Sequence, residues 1–159
     1  MTDEERAGLL KVAEVLEAKS PWTPLPDYEG DRYTSKAVPL LFNLVVRAGQ
    51  YECGTVACIG GWLSLHLQGV DISQRLVSLT PKQVDTSDKY VNAFGQAENR
   101  EGHEPGARAG EALSILFYPP EQDRKGNTIL DMETVTPAQA AKAIRNFLES
   151  GDPKWAEVV

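Results

Sequence analysis

Few residues in this 159-residue chain offer reactive chemistry beyond its carboxylates: two cysteines, Cys53 and Cys58, and two histidines, His66 and His103. The sharpest chemistry they suggest is a thiol nucleophile. Cys53 lies just ahead of an expected helix start, where free amides and the helix dipole lower a thiol pKa. A cysteine hydrolase also needs a histidine within hydrogen-bond reach of the sulfur. His66 is badly placed for that role, because eight helical rises put it about 12 Å beyond Cys58. It also falls among Ile59, Trp62 and Leu63, where a neutral imidazole with one backbone partner is the expected state. His103 sits in a polar loop that can approach Cys53, although nothing in the sequence requires it to. Cys53 and His103 are therefore the candidate catalytic residues of a cysteine-dependent hydrolase, the alternative to a non-enzymatic reading.

Other chemistries fare worse. A metal site would have to recruit Cys53, Cys58, His66 and His103. The C-x4-C spacing is at the edge of the usual zinc range, and the histidines follow no zinc-ligand spacing. Gly60-Gly61 lacks the Gly-x-x-x-x-Gly-Lys frame of a phosphate loop. Asp3-Glu4-Glu5 is explained by helix capping, and Glu101 and Glu104 flank His103 in a solvated loop. No metal and no cofactor is expected. In a cytosolic protein the cysteines read as reduced thiols. A Cys53–Cys58 disulfide would need non-helical geometry, with Cα atoms within about 7 Å and converging side chains.

The element that must position these groups is the stretch from Cys53 to Gln68. Thr55 reads as its N-cap. At about 100° per residue, Val56, Ile59, Leu63 and Leu67 share one face, Trp62 and His66 continue it, and Cys58 and Leu65 extend it. Only Ala57, Gly60, Gly61, Ser64 and Gln68 remain, all small or polar. An apolar arc of about 200° predicts a helix over 55–68 that is largely buried. Each mid-helix glycine costs about 1 kcal/mol against alanine, which implies a neighbouring backbone crossing closely there. Gly61→Leu is accordingly expected to destabilise the protein severely. The alternative is that the glycines break the helix near Ile59.

Three stretches together resemble an uncharacterised family of small bacterial and phage-encoded proteins. They are Cys53-Gly-Thr-x-x-Cys-Ile-x-Gly-Trp, then Leu116-Phe117-Tyr118, and finally Thr136-Pro-Ala-Gln-Ala-Ala with Phe147-Leu, Gly151 and Trp155. The resemblance runs from about Phe42 onward, roughly two thirds of the chain. It implies a shared fold and a mobile-element origin, and it assigns no activity and no catalytic residue.

Composition narrows the classes further. The length suits one domain, 1–159, with a core that needs no metal or disulfide. Apolar runs such as Ala37 to Val46 are far shorter than the roughly 20 residues of a membrane span. The acidic opening Met-Thr-Asp-Glu-Glu-Arg is unlike a signal peptide. A cytoplasmic protein with no membrane association is expected. The formal charge is −7 and the pI about 4.9. Lys and Arg are scattered rather than clustered, so direct nucleic-acid binding is not expected. Acidity serves solubility, and it also suits a basic protein partner.

Elsewhere the chain is punctuated by local signals. Thr2 and Glu5 make a capping box for a helix from about Asp3 to Lys19, with Leu9, Val12, Ala13 and Leu16 inward. Residues 20–35, broken by Pro21, Pro24, Pro26 and Gly30, predict a packed loop. Its aromatics Trp22, Tyr28 and Tyr33 are the candidate binding residues. Leu40 to Arg47 reads as either a short strand or a buried helical segment. Thr80-Pro81-Lys82-Gln83 and Thr136-Pro137-Ala138-Gln139 are both helix-start patterns. The first is expected to open only a turn before a helix from Ser87 to Glu98. A further helix is predicted from Ala107 to Phe117, stopped by Pro119-Pro120. Glu121 to Asn127 reads as a charged loop. The last helix begins at Thr136, places Ala141, Ile144, Phe147 and Leu148 inward, and ends at Gly151 with Trp155 folding back as a clasp.

The expected architecture is mainly α: a single compact domain of about five helices around a central buried helix at 55–68, with a short β element near 40–46. Ile59, Trp62, Leu63, Leu67, Leu113, Leu116, Ile144, Phe147 and Leu148 should share the core. The function expected is that of a small acidic accessory or protein-interaction protein. An enzyme would differ in showing a polar pocket with a strongly perturbed titratable group.

Overall fold

A computed structural model describes residues 1–18, 38–42, 49–51, 54–74, 76–95, 104–119, 130–132 and 134–159. The protein is mainly helical. The described helices are α1 (Asp3–Ala18), α2 (Ile59–Leu67), α3 (Pro81–Asn92), α4 (Ser114–Phe117), α5 (Pro137–Ser150) and α6 (Trp155–Val158). The described strands are β1 (Val38–Phe42), β2 (Gly49–Tyr51), β3 (Gly54–Ala57) and β4 (Leu76–Val77), in the sheet order β2-β3-β1-β4. None of these helices is long and apolar enough to cross a membrane.

Local sequence sets most helix ends. At α1 the Thr2 amide donates to Glu5 Oε2 at 2.7 Å, and the Glu5 amide donates to Thr2 Oγ1 at 3.1 Å. Thr136 and Gln139 close the same reciprocal box on α5, with Pro137 at the first helical position. Gly151 ends α5 at φ 79°, a conformation that favours glycine. Trp155 then folds back as expected: it is buried, and its Nε1 donates to the Ile115 carbonyl at 3.1 Å.

The central helix starts later than its periodicity implies. Residues 54–57 belong to β3, and the N-cap is Cys58 rather than Thr55. The physical reason is the sheet: Thr55, Val56 and Ala57 pair in parallel with Leu40, Leu41 and Phe42 of β1, while β2 pairs antiparallel on the other side. Backbone groups satisfied by two ladders gain nothing from a helical turn, and β-branched Thr55 and Val56 suit strands. The apolar run before them is therefore a strand as far as Phe42. Pro39 is tolerated within it because β1 changes partner there. Val38 and Pro39 face β4, and Leu40 to Phe42 face β3, so the missing proline donor falls outside the β3 ladder.

From Ile59 to Leu65 every residue of α2 is buried, and the helix runs unbroken through both glycines. Its small strip packs against α3, and the two helices run antiparallel. A Cβ on Gly60 would stand 2.9 Å from Val91 Cγ2 and 3.1 Å from Phe117 Cδ2. One turn on, Ser64 is buried, and Gln68 Nε2 donates to Ser87 Oγ at 3.0 Å and to the Gln83 carbonyl at 3.3 Å. What crosses closely at Gly60 is thus a pair of side chains, not a backbone. Leu67 is a correction to the expected core: it is 39% exposed, at the last residue of α2. The remaining expected core residues are buried, Leu113, Leu116, Ile144, Phe147 and Leu148 among them, in one cluster with α1 residues Leu9, Val12 and Leu16.

Two further expectations are corrected. Thr80 opens a full helix, α3, and the expected start at Ser87 lies in its middle. The capping box between Thr80 and Gln83 is complete, and Ser87 is buried against α2 instead of capping. The predicted helix over 107–117 is helical only from Ser114. Residues 107–113 form turns, because Gly110 adopts φ 85° and Gly106 crosses the end of α3. A Cβ on Gly106 would lie 2.4 Å from the carbonyl oxygens of Asn92 and Ala93. The loops at 20–35 and 121–127 lie outside the described residues.

Candidate functional site

Of the residues singled out for chemistry, the structure describes Cys58 and His66 and keeps them apart. Cys58 caps α2: its Sγ accepts a hydrogen bond from the Gly61 amide at 3.4 Å, and the residue is 2% exposed. His66 is half-buried on the same helix, beside Gly8 of α1. Eight rises of helix separate Cys58 and His66 by about 12 Å, so they do not form a pair. Cys53, His103, Trp22, Tyr28 and Tyr33 lie outside the described residues. Among the described residues, no three Cys, His, Asp or Glu side chains are grouped to hold a metal ion.

A different cluster does assemble, from residues far apart in the chain. Its centre is Arg108, in the turns before α4. The guanidinium forms a fork with Glu5 of α1, Nη1 to Oε1 at 2.5 Å and Nη2 to Oε2 at 3.2 Å. It makes a second fork with Glu111, Nε to Oε1 at 2.9 Å and Nη2 to Oε2 at 2.7 Å. Its carbon lies 4.2 Å from the centroid of the Phe94 ring and 6.0 Å from that of Tyr90. The Tyr90 hydroxyl completes the site by donating to Glu5 Oε1 at 2.9 Å. Phe94 and Phe117 meet edge-on beneath it, centroids 5.0 Å apart.

Electrostatics follow from these contacts. Burial pushes the Glu5 carboxyl up, but hydrogen bonds from Arg108, the Thr2 amide and Tyr90, with the Arg108 charge, bring it down to about 2. Tyr90 is driven well above its ordinary value by burial and by donating to an anion. Arg108 is raised further by its bonds to Glu111 and Glu5. At neutral pH the state is fixed: two carboxylates, one guanidinium, one phenol. A carboxylate held that low is a weak base, and a phenol held that high is a weak acid, so neither suits proton transfer near pH 7. Every carboxylate oxygen of Glu5 and Glu111 already accepts from a protein donor. The arrangement ties α1, α3 and residues 104–113 together, and it is also a geometry that recognises a guanidinium.

Only part of this was available from sequence. Arg108 and Glu111 are spaced as a local pair, but Glu5 was fully accounted for by its capping role. The three stretches of the family resemblance meet in space as packing partners: Gly60 lies against Phe117, and Trp155 bonds to Ile115 just ahead of Leu116. No protein-family model matches the chain, and no curated protein and no solved structure matches it either.

Proposed function

We propose that this is a small acidic accessory protein of phage or prophage origin, which works in the cytoplasm by binding another protein and not by catalysis. The observation that supports the reading is the saturation of the Arg108 ionisable cluster. Glu5, Tyr90, Arg108 and Glu111 are the strongly perturbed group that an enzyme would keep facing a substrate, and here their polar atoms are turned on one another. Cys58 supports it in the same way, since its sulfur is spent on capping α2. The net charge of −7 favours a basic protein partner, and the scattered Lys and Arg do not favour nucleic acid. The mobile-element origin is carried by the resemblance of the Cys53–Trp62 and Thr136–Trp155 stretches.

The test is affinity capture from the native host with the wild type and with Cys53→Ser, over a series of salt concentrations. The reading expects one partner retained by both proteins and released as salt rises, because long-range attraction is screened within about 10 Å at 0.1 M. A hydrolytic activity that a folded Cys53→Ser protein lacks would replace it with the cysteine hydrolase.

A further inference from the structure

The walls and the occupant of the Arg108 cluster come from different kinds of structure. The walls stand on helices: Glu5 on α1, Tyr90 on α3, and Phe94 in the turn that ends α3. Glu5 keeps its place without Arg108, since the Thr2 amide and the Tyr90 hydroxyl each donate to its carboxylate. The occupant is carried by residues 104–112, which contain neither helix nor strand. Two backbone bonds fasten that segment to the end of α3, Gly106 amide to Gly95 carbonyl at 2.9 Å and Arg108 amide to Ala93 carbonyl at 2.7 Å. The Arg108 side chain is 27% exposed, whereas that of Glu5 is 5% exposed. The site is therefore a buried carboxylate and two rings with one edge open to water.

We propose that Arg108 is an internal plug in a guanidinium-binding site, and that the site takes an arginine side chain of a basic protein partner when residues 104–112 lift away, Leu113 staying in the core. The proposal rests on the accessory-protein reading and names the recognition chemistry for it. The site selects guanidinium over ammonium. Only a planar fork meets both oxygens of Glu5 while stacking on Phe94, and a lysine offers a single point charge instead. Exchange loses little at the site, because the incoming arginine remakes the bonds to Glu5 that Arg108 gives up. Glu111 leaves with its own segment, so the vacated site keeps the one carboxylate that the helices hold. The chain's net charge of −7 raises the encounter rate with a basic partner.

The test titrates the wild type with an oligoarginine peptide and, separately, with an oligolysine peptide of equal length, following hydrogen exchange at the Gly106 and Arg108 amides. Oligoarginine should accelerate exchange at both amides and oligolysine should not. Arg108→Ala, which removes the plug, should bind oligoarginine about tenfold more tightly or better, since the competent fraction rises. No acceleration in the wild type would overturn the proposal, and so would equal acceleration by both peptides, the mark of general charge attraction. Should Arg108→Ala fail to fold, the wild-type exchange decides alone. A negative result leaves the accessory reading standing, because that reading rests on saturation of the cluster and not on its exchange.

Discussion

Glu5 and Arg108 stand 103 positions apart in the chain and meet as a two-point ion pair over the ring of Phe94. Charges drawn together from such a distance are worth little on average when compared with an apolar replacement, yet removing one partner strands the other. Arg108→Ala leaves the buried Glu5 carboxylate with only the Thr2 amide and the Tyr90 hydroxyl among the donors described. The expected loss is about 3 kcal/mol, read as a fall in the urea midpoint with an unchanged slope.

The same pair sets the acid limb of stability. Glu5 falls from the ordinary value of 4.5 to about 2 in the folded protein. A depressed folded value means stabilisation that is complete above about pH 4.5 and lost as pH falls towards 2. Its size is of the order of 3 kcal/mol. Glu17 beside Arg145 and Glu111 beside Arg108 are lowered too, mainly by their hydrogen bonds, and act in the same direction more weakly because they are exposed. Urea midpoints measured from pH 7 down to pH 3 should fall for the wild type and fall distinctly less for Glu5→Gln. Parallel curves for the two proteins would remove Glu5 from the account.

Gly60 is a point of close approach between α2 and α3. Gly60→Val places new carbons against Val91 and Phe117 where a Cβ alone would already be 2.9 Å from Val91. Overpacking there should cost about 1–3 kcal/mol, and Val91→Ala on the same background should recover part of it. Additive losses in that double-mutant cycle would mean that the two residues do not meet. Gly61→Leu should be damaging as well, since Gly61 is buried.

The end of α5 gives a local test. Thr136→Ala removes the cap that receives the Gln139 amide and should cost about 1 kcal/mol. Gly151→Ala places a side chain at φ 79°, with a cost of about 1–2 kcal/mol. Thermal unfolding of the two single variants and the double variant should show near-additive shifts, because one acts at each end of the helix.

Legibility in the sequence followed distance along the chain. The boxes at Thr2 and Thr136, the stop at Gly151 and the burial of Ile59 to Leu65 depend on neighbours within a turn or two, and the residues announce them. The small strip of α2 was readable as a place of close approach, but that Val91 and Phe117 fill it depends on how α3 and α4 dock. Residues 54–57 misled because an apolar residue every three or four positions also occurs where a strand runs into a helix; pairing with β1 decided the matter. Residues 107–113 misled because alanines favour a helix, while Gly110 adopts φ 85° and Gly106 packs against the end of α3. No local pattern marks a pair such as Glu5 and Arg108, so the cluster was invisible until the helices met.

Binding without catalysis, as proposed for this protein, stands or falls on the reactivity of Cys53. Iodoacetamide labelling of Cys53 in the folded protein should be followed as a function of pH, with Cys58→Ala used to isolate the site. Slow labelling near pH 6 that rises only as the solution turns alkaline is the expected result. Rapid labelling already at pH 6, abolished by Cys53→Ser and slowed by His103→Ala, would contradict it and identify an activated cysteine nucleophile.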